Sequence, residues 1–259
     1  MKIHHEPLSD VVRYIEAEKD TRLEQKKPTF RSIMAVVSRF HDVNRQTKIL
    51  EVGSGIGWFP ILCKKEGLSC KGLEISPQLV EHARRLGRQY GVEPDIELAN
   101  IEEVDLGVEQ YDVVVACSSF EHVEDWRLGL TKVFHALKPG GVLYFYSSNR
   151  FNLRSGEFNF PLYSWLPNTW RYRLRVACQG EQIMKLGIDF NQFTATQLRR
   201  FFTQLGFSRV MDLIDVYGPQ HLSRATFHRK AALRLLKTCA PLKHGYLLFA
   251  RGTFFICVK

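Results

Sequence analysis

A doubly wound α/β sheet is the architecture this 259-residue sequence predicts, on three observations. From Lys48 onward, short apolar runs alternate with helical periodicities, the pattern of strand-helix-strand units. A glycine-rich turn, Gly53-Ser54-Gly55-Ile56-Gly57, joins the first run to the first helix. Sheets that bind ligands at their strand ends carry such a turn. The β-branched run in Val113–Cys117 is apolar throughout, which suits a central parallel strand buried on both faces.

The elements follow in chain order. Residues 8–46 read as helical, with Val12, Ile15 and Leu23, then Ile33, Val36, Val37 and Phe40 at helical spacing, and Pro28 separating two segments. Lys48–Val52 is a strand, and Trp58–Lys65 a helix whose Pro60 falls in the tolerant first turn. Cys70–Ile75 is a second strand. Ser76-Pro77 then opens a helix reaching about Tyr90, with a serine cap before a proline at the first helical position. Asp95–Ala99 and Val113–Cys117 are the third and fourth strands. Trp126, Leu130, Val133, Phe134 and Leu137 stripe a helix that Pro139-Gly140-Gly141 is expected to stop, before a strand at Val142–Tyr146. Thr194-Ala195-Thr196-Gln197 is a capping-box signature, and Gly206 ends the helix it opens. Phe207–Ile214 and Gly252–Val258 are the last two strands.

Composition bounds the function. Hydrophobic residues make up 45% and charged residues 24%, enough to build a core and too apolar for wholesale disorder. No stretch approaches the roughly 20 apolar residues of a membrane span, and Met1–Pro7 lacks an apolar signal core, so a cytoplasmic protein is expected. The six cysteines form no Cys-x-x-Cys pair, which fits a reducing compartment and argues against a zinc ribbon. The net charge of +9 is unevenly placed. Residues 1–149 carry 19 Lys and Arg against 22 Asp and Glu, whereas residues 150–259 carry 17 against 5. That asymmetry points to an acidic substrate, a membrane surface or nucleic acid as a partner of the C-terminal part.

The glycine turn is not a dinucleotide fingerprint. Gly-x-Gly-x-x-Gly needs a third glycine at position 58, which is Trp, and the third glycine here is Gly57. The Lys-Ser/Thr pair of a P-loop is also missing, so a pyrophosphate ligand is disfavoured. Glu74 closes the second strand about 20 residues after the turn, where a carboxylate accepts bonds from ribose hydroxyls. A solvated strand-end charge is the plain alternative.

Together with Glu51–Gly57 and Gly72–Ser76, the segments Tyr111–Val115, Phe120-Glu121-His122-Val123 and Leu137–Gly141 make the sequence resemble the class I S-adenosylmethionine-dependent methyltransferases over about residues 48–147. Ser148-Asn149-Arg150 and Phe160–Pro167 more loosely resemble bacterial members acting on small hydroxylated or glycan-type substrates, the ubiquinone-biosynthesis-like O-methyltransferase branch. The resemblance implies a Rossmann-like fold: a seven-stranded sheet, mostly parallel, with an antiparallel C-terminal strand and helices on both faces. It implies four parts: an N-terminal helical cap (1–46), a cofactor-binding core (47–149), an aromatic and basic substrate lid (150–190), and a C-terminal completion of the sheet (191–259) with a basic helical insertion at about 219–245. The implied cofactor is S-adenosyl-L-methionine, with S-adenosyl-L-homocysteine as product.

By the same resemblance, Gly53, Ser54, Gly55 and Gly57 line the methionine part of the cofactor and Glu51 helps hold its ammonium. Glu74 and Ile75 lie at the ribose, Asn100 and Ile101 at the adenine, and Cys117 and Ser118 beside the methionine end. Asp is commoner than Asn at position 100, yet an Asn carbonyl still accepts from the adenine amino group.

Methyl transfer is an in-line displacement, so alignment supplies much of the acceleration. The sulfonium charge disappears on transfer, which favours an apolar lining such as Phe120, Trp58 or the insert aromatics. A hydroxyl acceptor must lose a proton, and His122 is the candidate base, with a pKa range suited to neutral pH and a place just after the fourth strand. The alternative is that His122 caps the next helix or positions Glu121, which itself reads as a ligand for a substrate hydroxyl or metal. No spacing demands a metal. The other histidines, His4, His5, His41, His82, His135, His221, His228 and His244, show no pairing pattern.

Two inserts interrupt the alternation. Residues 150–190 interleave aromatics with Arg154, Arg171, Arg173 and Arg175 and read either as a lid or as a satellite core. Residues 219–245 hold a basic helix with Leu222, Phe227, Ala231, Leu235 and Leu236, and the stretch Arg224–Lys237 reads as an anionic-membrane contact or a solvated face. The expected function is O-methylation of a small hydroxylated, glycan- or lipid-linked acceptor. The alternatives are an RNA-modifying methyltransferase and a non-catalytic cofactor-binding scaffold. Cys117-Ser118-Ser119-Phe120 differs from the Asn/Asp-Pro-Pro-aromatic pattern of methyltransferases acting on adenine-type amino groups, which lowers the nucleobase reading.

Overall fold

Seven strands lie in the order β3-β2-β1-β4-β5-β7-β6 in the computed structural model. The strands are β1 Lys48–Val52, β2 Ser69–Glu74, β3 Asp95–Leu98, β4 Tyr111–Cys117, β5 Leu137–Ser148, β6 Arg209–Asp212 and β7 Gly252–Val258. The structure describes all residues except 1, 4, 6–8, 19–21, 154–157, 159, 182–190 and 218–225. His4, Arg154, His221, Leu222 and Arg224 therefore lie outside the described residues. The pairings among β1 to β5 are parallel, and β7 runs antiparallel between β5 and β6. This is the mostly parallel, seven-stranded sheet that the sequence predicts.

The helices that frame the site are α1 Ser9–Glu18, α2 Leu23–Val37, α3 Trp58–Lys65, α4 Pro77–Gln89, α5 Trp126–Ala136, α6 Asn168–Gln179 and α7 Ala195–Leu205. Strand periodicity sorts the core onto two faces. Leu50, Val52, Val114 and Ala116 face one way, with Leu130 and Val133 of α5 and Leu198 and Phe202 of α7. Ile49, Val113 and Val115 face the other way, against Phe30 and Ile33 of α2 and Phe59 and Leu62 of α3. A sheet covered on both sides requires the near-continuous apolar strands seen in the sequence.

Several elements depart from the sequence expectation. Pro28 does not separate two helices: it lies on the exposed side of α2, and the described helices are split before Leu23 instead. Proline removes one helical hydrogen bond there, and burial of Leu23, Phe30, Ile33 and Val37 holds the helix together across the gap. In α1 the inward residue is Val11, which packs on Ile56 and Leu79, whereas Val12 is exposed. Helix α5 stops at Ala136, and Pro139-Gly140-Gly141 lies within β5. Gly140 takes φ +75°, which bends the strand, and its N–H donates to the Lys259 carbonyl at 3.0 Å. Strand β6 is shorter than expected because Asp212, buried, accepts from the backbone N–H groups of Ile214 and Asp215 and turns the chain into α8, Leu213–Val216. The basic insertion is a pair of helices, α9 Phe227–Thr238 and α10 Ala240–Phe249. Thr194 caps α7 by accepting from Gln197 N–H at 3.2 Å, and Gly206 ends it at φ +103°.

Candidate active site

The C-terminal ends of β1, β2 and β4 converge on the glycine turn. The N–H groups of Gly53 and Ser54 both donate to the Leu73 carbonyl at 2.9 Å, pinning the turn to β2. All three glycines have positive φ: +77°, +53° and +76°. Their reasons differ. A side chain on Gly53 would start 2.5 Å from Ser119 Cβ, and one on Gly57 would start 2.5 Å from Ala83 Cβ on α4. Those two glycines allow close packing. Only Gly55 faces space, bounded by Tyr14 Oη of α1 at 3.4 Å from the position a side chain would take. Gly55 is thus where backbone can meet a ligand.

Glu74 is buried at the end of β2. Its Oε2 accepts from Gly55 N–H at 2.7 Å, and its Oε1 accepts from Ile75 N–H at 2.9 Å and Ser76 N–H at 3.0 Å. Burial raises its pKa, while these three backbone donors and the nearby His122 pull it down. A carboxylate offers about four acceptor directions. Oε1 already holds two donors and Oε2 one, so a ribose hydroxyl can join Oε2 directly, and a diol that used both oxygens would displace the Ile75 or Ser76 N–H from Oε1.

Glu51 sits on β1 beneath the turn and is 4% exposed. Its Oε2 and the Oγ of Ser54 are buried without hydrogen-bond partners. Burial pushes the Glu51 carboxyl up to about 8; the neighbouring Ser54 hydroxyl lowers it and the Glu74 charge raises it further. A buried acid with an unused oxygen is complementary to a cation carrying several N–H donors. Tyr14 is an exposed residue whose hydroxyl end lies over Gly55; desolvation of that end, followed by the charges of Glu18, Glu74 and Glu51, raises its phenol to about 12. The sequence signal for Tyr14 was its place on the Val11–Ile15 side of α1, obscured by the exposed Val12.

Asn100 and Ile101 follow β3, and both are buried. Asn100 Oδ1 accepts from Glu102 N–H at 3.0 Å, and its Nδ2 donates to Glu103 at 3.3 Å. The Ile101 side chain belongs to the core beside Phe120. Phe120 is likewise a core residue, 1% exposed and packed on Phe145, rather than a lining residue. Trp58, the first residue of α3, is half-buried against the Val11–Ile15 side of α1 and edge-on to Phe59.

At the end of β4, Cys117 is half-buried and its thiol is raised by burial and by the charges of Glu51 and Glu121. Ser118 is exposed and adopts φ +52°, a left-handed conformation uncommon for serine, while its N–H donates to the Tyr146 carbonyl at 2.8 Å. A 3-10 turn, Phe120–His122, follows. Glu121 is turned inward, 2% exposed, and its Oε2 accepts from Ser147 Oγ at 2.5 Å. Asn191 fixes the same turn: its Nδ2 donates to the carbonyls of Phe120 at 3.1 Å and Val123 at 2.5 Å, and its N–H donates to the Glu121 carbonyl. His122 is left half-buried, close enough to Glu74 to act on its charge. Ser147 and Asn191 carried no sequence signal, because their contacts span 26 residues and about 70 residues of chain. Among the described residues no cluster of His, Cys, Asp or Glu is arranged to hold a metal ion.

In the insert, Tyr163, Arg171 and Arg175 are buried together, with both guanidinium groups over aromatic rings. This group has the form of a satellite core.

Residues 50–145 match the family model described as a methyltransferase domain. A solved structure of a SAM dependent methyltransferase from Archaeoglobus fulgidus superposes with a TM-score of 0.57 at 15% identity, over 95% of this chain and 99% of that one. Haemonchus contortus phosphoethanolamine N-methyltransferase 2, in complex with phosphomonomethylethanolamine and S-adenosylhomocysteine, superposes at 0.55 with 18% identity, over 88% and 52%. These structural likenesses establish the fold. The core of the chain is thus similar to methyltransferase domains, in line with the resemblance to the class I S-adenosylmethionine-dependent family. Its matched segment is similar to ubiquinone biosynthesis O-methyltransferases: 31% identical over 106 residues to that of Xylella fastidiosa and 34% over 104 residues to that of Erwinia tasmaniensis. The matches take in 40% of this chain and 42% and 43% of those proteins, so the chain spans about two fifths of the length of these curated relatives.

Proposed function

We propose that this chain is an S-adenosylmethionine-dependent methyltransferase that acts in the cytoplasm on an oxygen of a small hydroxylated, glycan- or lipid-linked acceptor. The observation that carries the reading is the acidic pocket under Gly55, with the buried, unused oxygens of Glu51 and Ser54 beside Glu74. An ammonium at Glu51 and a ribose at Glu74 would be the two ends of a sulfonium amino-acid nucleoside. The similarity to O-methyltransferases over the core supports oxygen as the acceptor atom.

When bound, the cofactor supplies an activated methyl group. Glu51 and Ser54 take its ammonium, Gly53 and Gly55 present backbone to its chain, and Glu74 with the Ile75 backbone takes the ribose. Asn100 and Ile101 border the adenine, with Gly57 keeping α4 close beneath. Tyr14, on the N-terminal cap (1–46), closes the pocket from above. Cys117 and Ser118 border the methionine end of the core (47–149). His122 accepts the acceptor hydroxyl proton on a ring nitrogen, and Glu121, Ser147 and Asn191 hold the turn that presents it. Strands β6 and β7 complete the sheet beside β5.

The test is incubation of the full chain with labelled methyl donor and fractionated extract, followed by mass analysis of the labelled product. An O-methylated small or lipid-linked product that disappears with His122→Ala supports the reading. Label confined to RNA, or no transfer into any fraction, overturns it.

A further inference from the structure

The α9–α10 pair is anomalous for a folded protein: neither helix buries a single side chain. Helices normally gain stability by burying an apolar stripe. Here the apolar stripes point outward. Phe227, Ala231 and Leu235 recur every four residues along α9, with Phe227 79% and Leu235 54% exposed. Leu242, Tyr246 and Phe249 recur at spacings of four and three along α10, and all three are exposed.

The pair is nonetheless firmly attached. Asn149, buried at the end of β5, donates from Nδ2 to the carbonyls of Leu247, Leu248 and Ala250 at 3.0, 3.1 and 2.8 Å. Lys243 on the inner side pairs with Asp212 at 2.9 Å and Asp215 at 2.5 Å. Phe249 stacks on Trp165 of the insert, with centroids 6.0 Å apart. A designed anchorage combined with an outward apolar face indicates a surface meant to be covered.

Charge selects what covers it. No acidic residue follows Asp215 in the whole sequence, while Arg229, Lys230, Arg234 and Lys237 lie on α9. A second copy meeting this face in a two-fold arrangement would set cation against cation. A nucleic acid would use the cations but leave the leucine and phenylalanine stripes without a partner. An anionic bilayer satisfies both, with apolar side chains at the acyl boundary and Lys and Arg at the headgroups. No described helix is long and apolar enough to cross a membrane, so the contact lies in the interface.

We infer that the α9–α10 pair is an interfacial docking surface for an anionic lipid bilayer. Its anchor, Asn149, follows the same β5 end that carries Ser147 and the Glu121 turn, so docking places the bilayer at the acceptor end of the sheet. The full chain is tested by co-sedimentation with vesicles of phosphatidylcholine alone and of equal parts phosphatidylcholine and phosphatidylglycerol. The expected result is retention on the anionic vesicles only, weakened by salt. Arg229→Glu with Arg234→Glu, and separately Leu242→Glu with Tyr246→Glu, should each weaken retention on the order of tenfold or more. All four positions are exposed, and an unchanged melting curve and unchanged S-adenosylhomocysteine binding confirm intact folding. Retention on neither vesicle, equal retention on both, or undiminished retention by both variants overturns the inference. So does RNA retention or dimer formation that the variants abolish while vesicle binding is absent. Cofactor binding is read separately on the same preparation, so the docking surface and the methyltransferase reading fail independently.

Discussion

Binding of S-adenosylhomocysteine should release a proton, and Glu51 should supply it. The carboxyl stands at about 8 in the free protein against an ordinary 4.5, chiefly because it is buried. At pH 7 it is therefore mostly protonated. An arriving ammonium stabilises the ionised form, so binding must first meet the cost of ionisation, about 1 kcal/mol for each pH unit below the pKa. Affinity should rise roughly tenfold per pH unit between about pH 6 and pH 8 and level off above. Calorimetry in buffers of different ionisation heats counts the released protons directly. Glu51→Gln removes both the proton release and the slope, and comparison with it cancels the ligand's own amino titration. A wild-type affinity flat across this window, or a slope retained in Glu51→Gln, would refute the placement of the ammonium at Glu51. The sign for stability runs the other way. The folded protein holds this proton where the unfolded chain has lost it, so Glu51 lowers stability progressively as pH rises from about 4.5 to about 8. Glu51→Gln should flatten that decline in a denaturant titration series.

Other substitutions separate packing from binding. Gly57→Ala meets Ala83 Cβ at 2.5 Å in a left-handed backbone and should destabilise by about 2–4 kcal/mol in urea unfolding. Gly55→Val should abolish cofactor binding by calorimetry, because its side chain would enter the one open face of the turn. Asn191→Ala removes two bonds to the His122 turn and should lower kcat while leaving S-adenosylhomocysteine affinity unchanged. Equal losses in both would make Asn191 part of the cofactor pocket instead. Pro28→Ala restores a helical hydrogen bond on the exposed side of α2 and should raise stability by about 1–3 kcal/mol, measured as a shift in the urea midpoint.

What could be read from the sequence was local. Helix α3 runs from Trp58 to Lys65 as its periodicity requires, because the helix start is set by the glycine turn and Pro60 fits the first turn. The sheet was legible because its central strands are buried on both faces. Pro139-Gly140-Gly141 misled because the same glycine freedom that ends helices also bends strands, and only pairing with the C-terminal Lys259 decides between them. In the site, Glu51, Glu74 and the glycine turn are close in sequence and came as a set. Ser147 and Asn191 act through contacts that tertiary folding alone creates, so no spacing rule could have pointed to them. The stripe of α9 was visible as periodicity, but the way the α9–α10 pair sits depends on Asn149 and Lys243.

The central claim is that one pocket, framed by Gly55, Glu51 and Glu74, seats the sulfonium nucleoside. A crystal of the full chain grown with S-adenosylhomocysteine tests it most directly. The expected density has the amino group beside Glu51 and the ribose on Glu74, one hydroxyl on Oε2 and the other in place of an Oε1 backbone donor. Clear density for the nucleoside at any other place would contradict it.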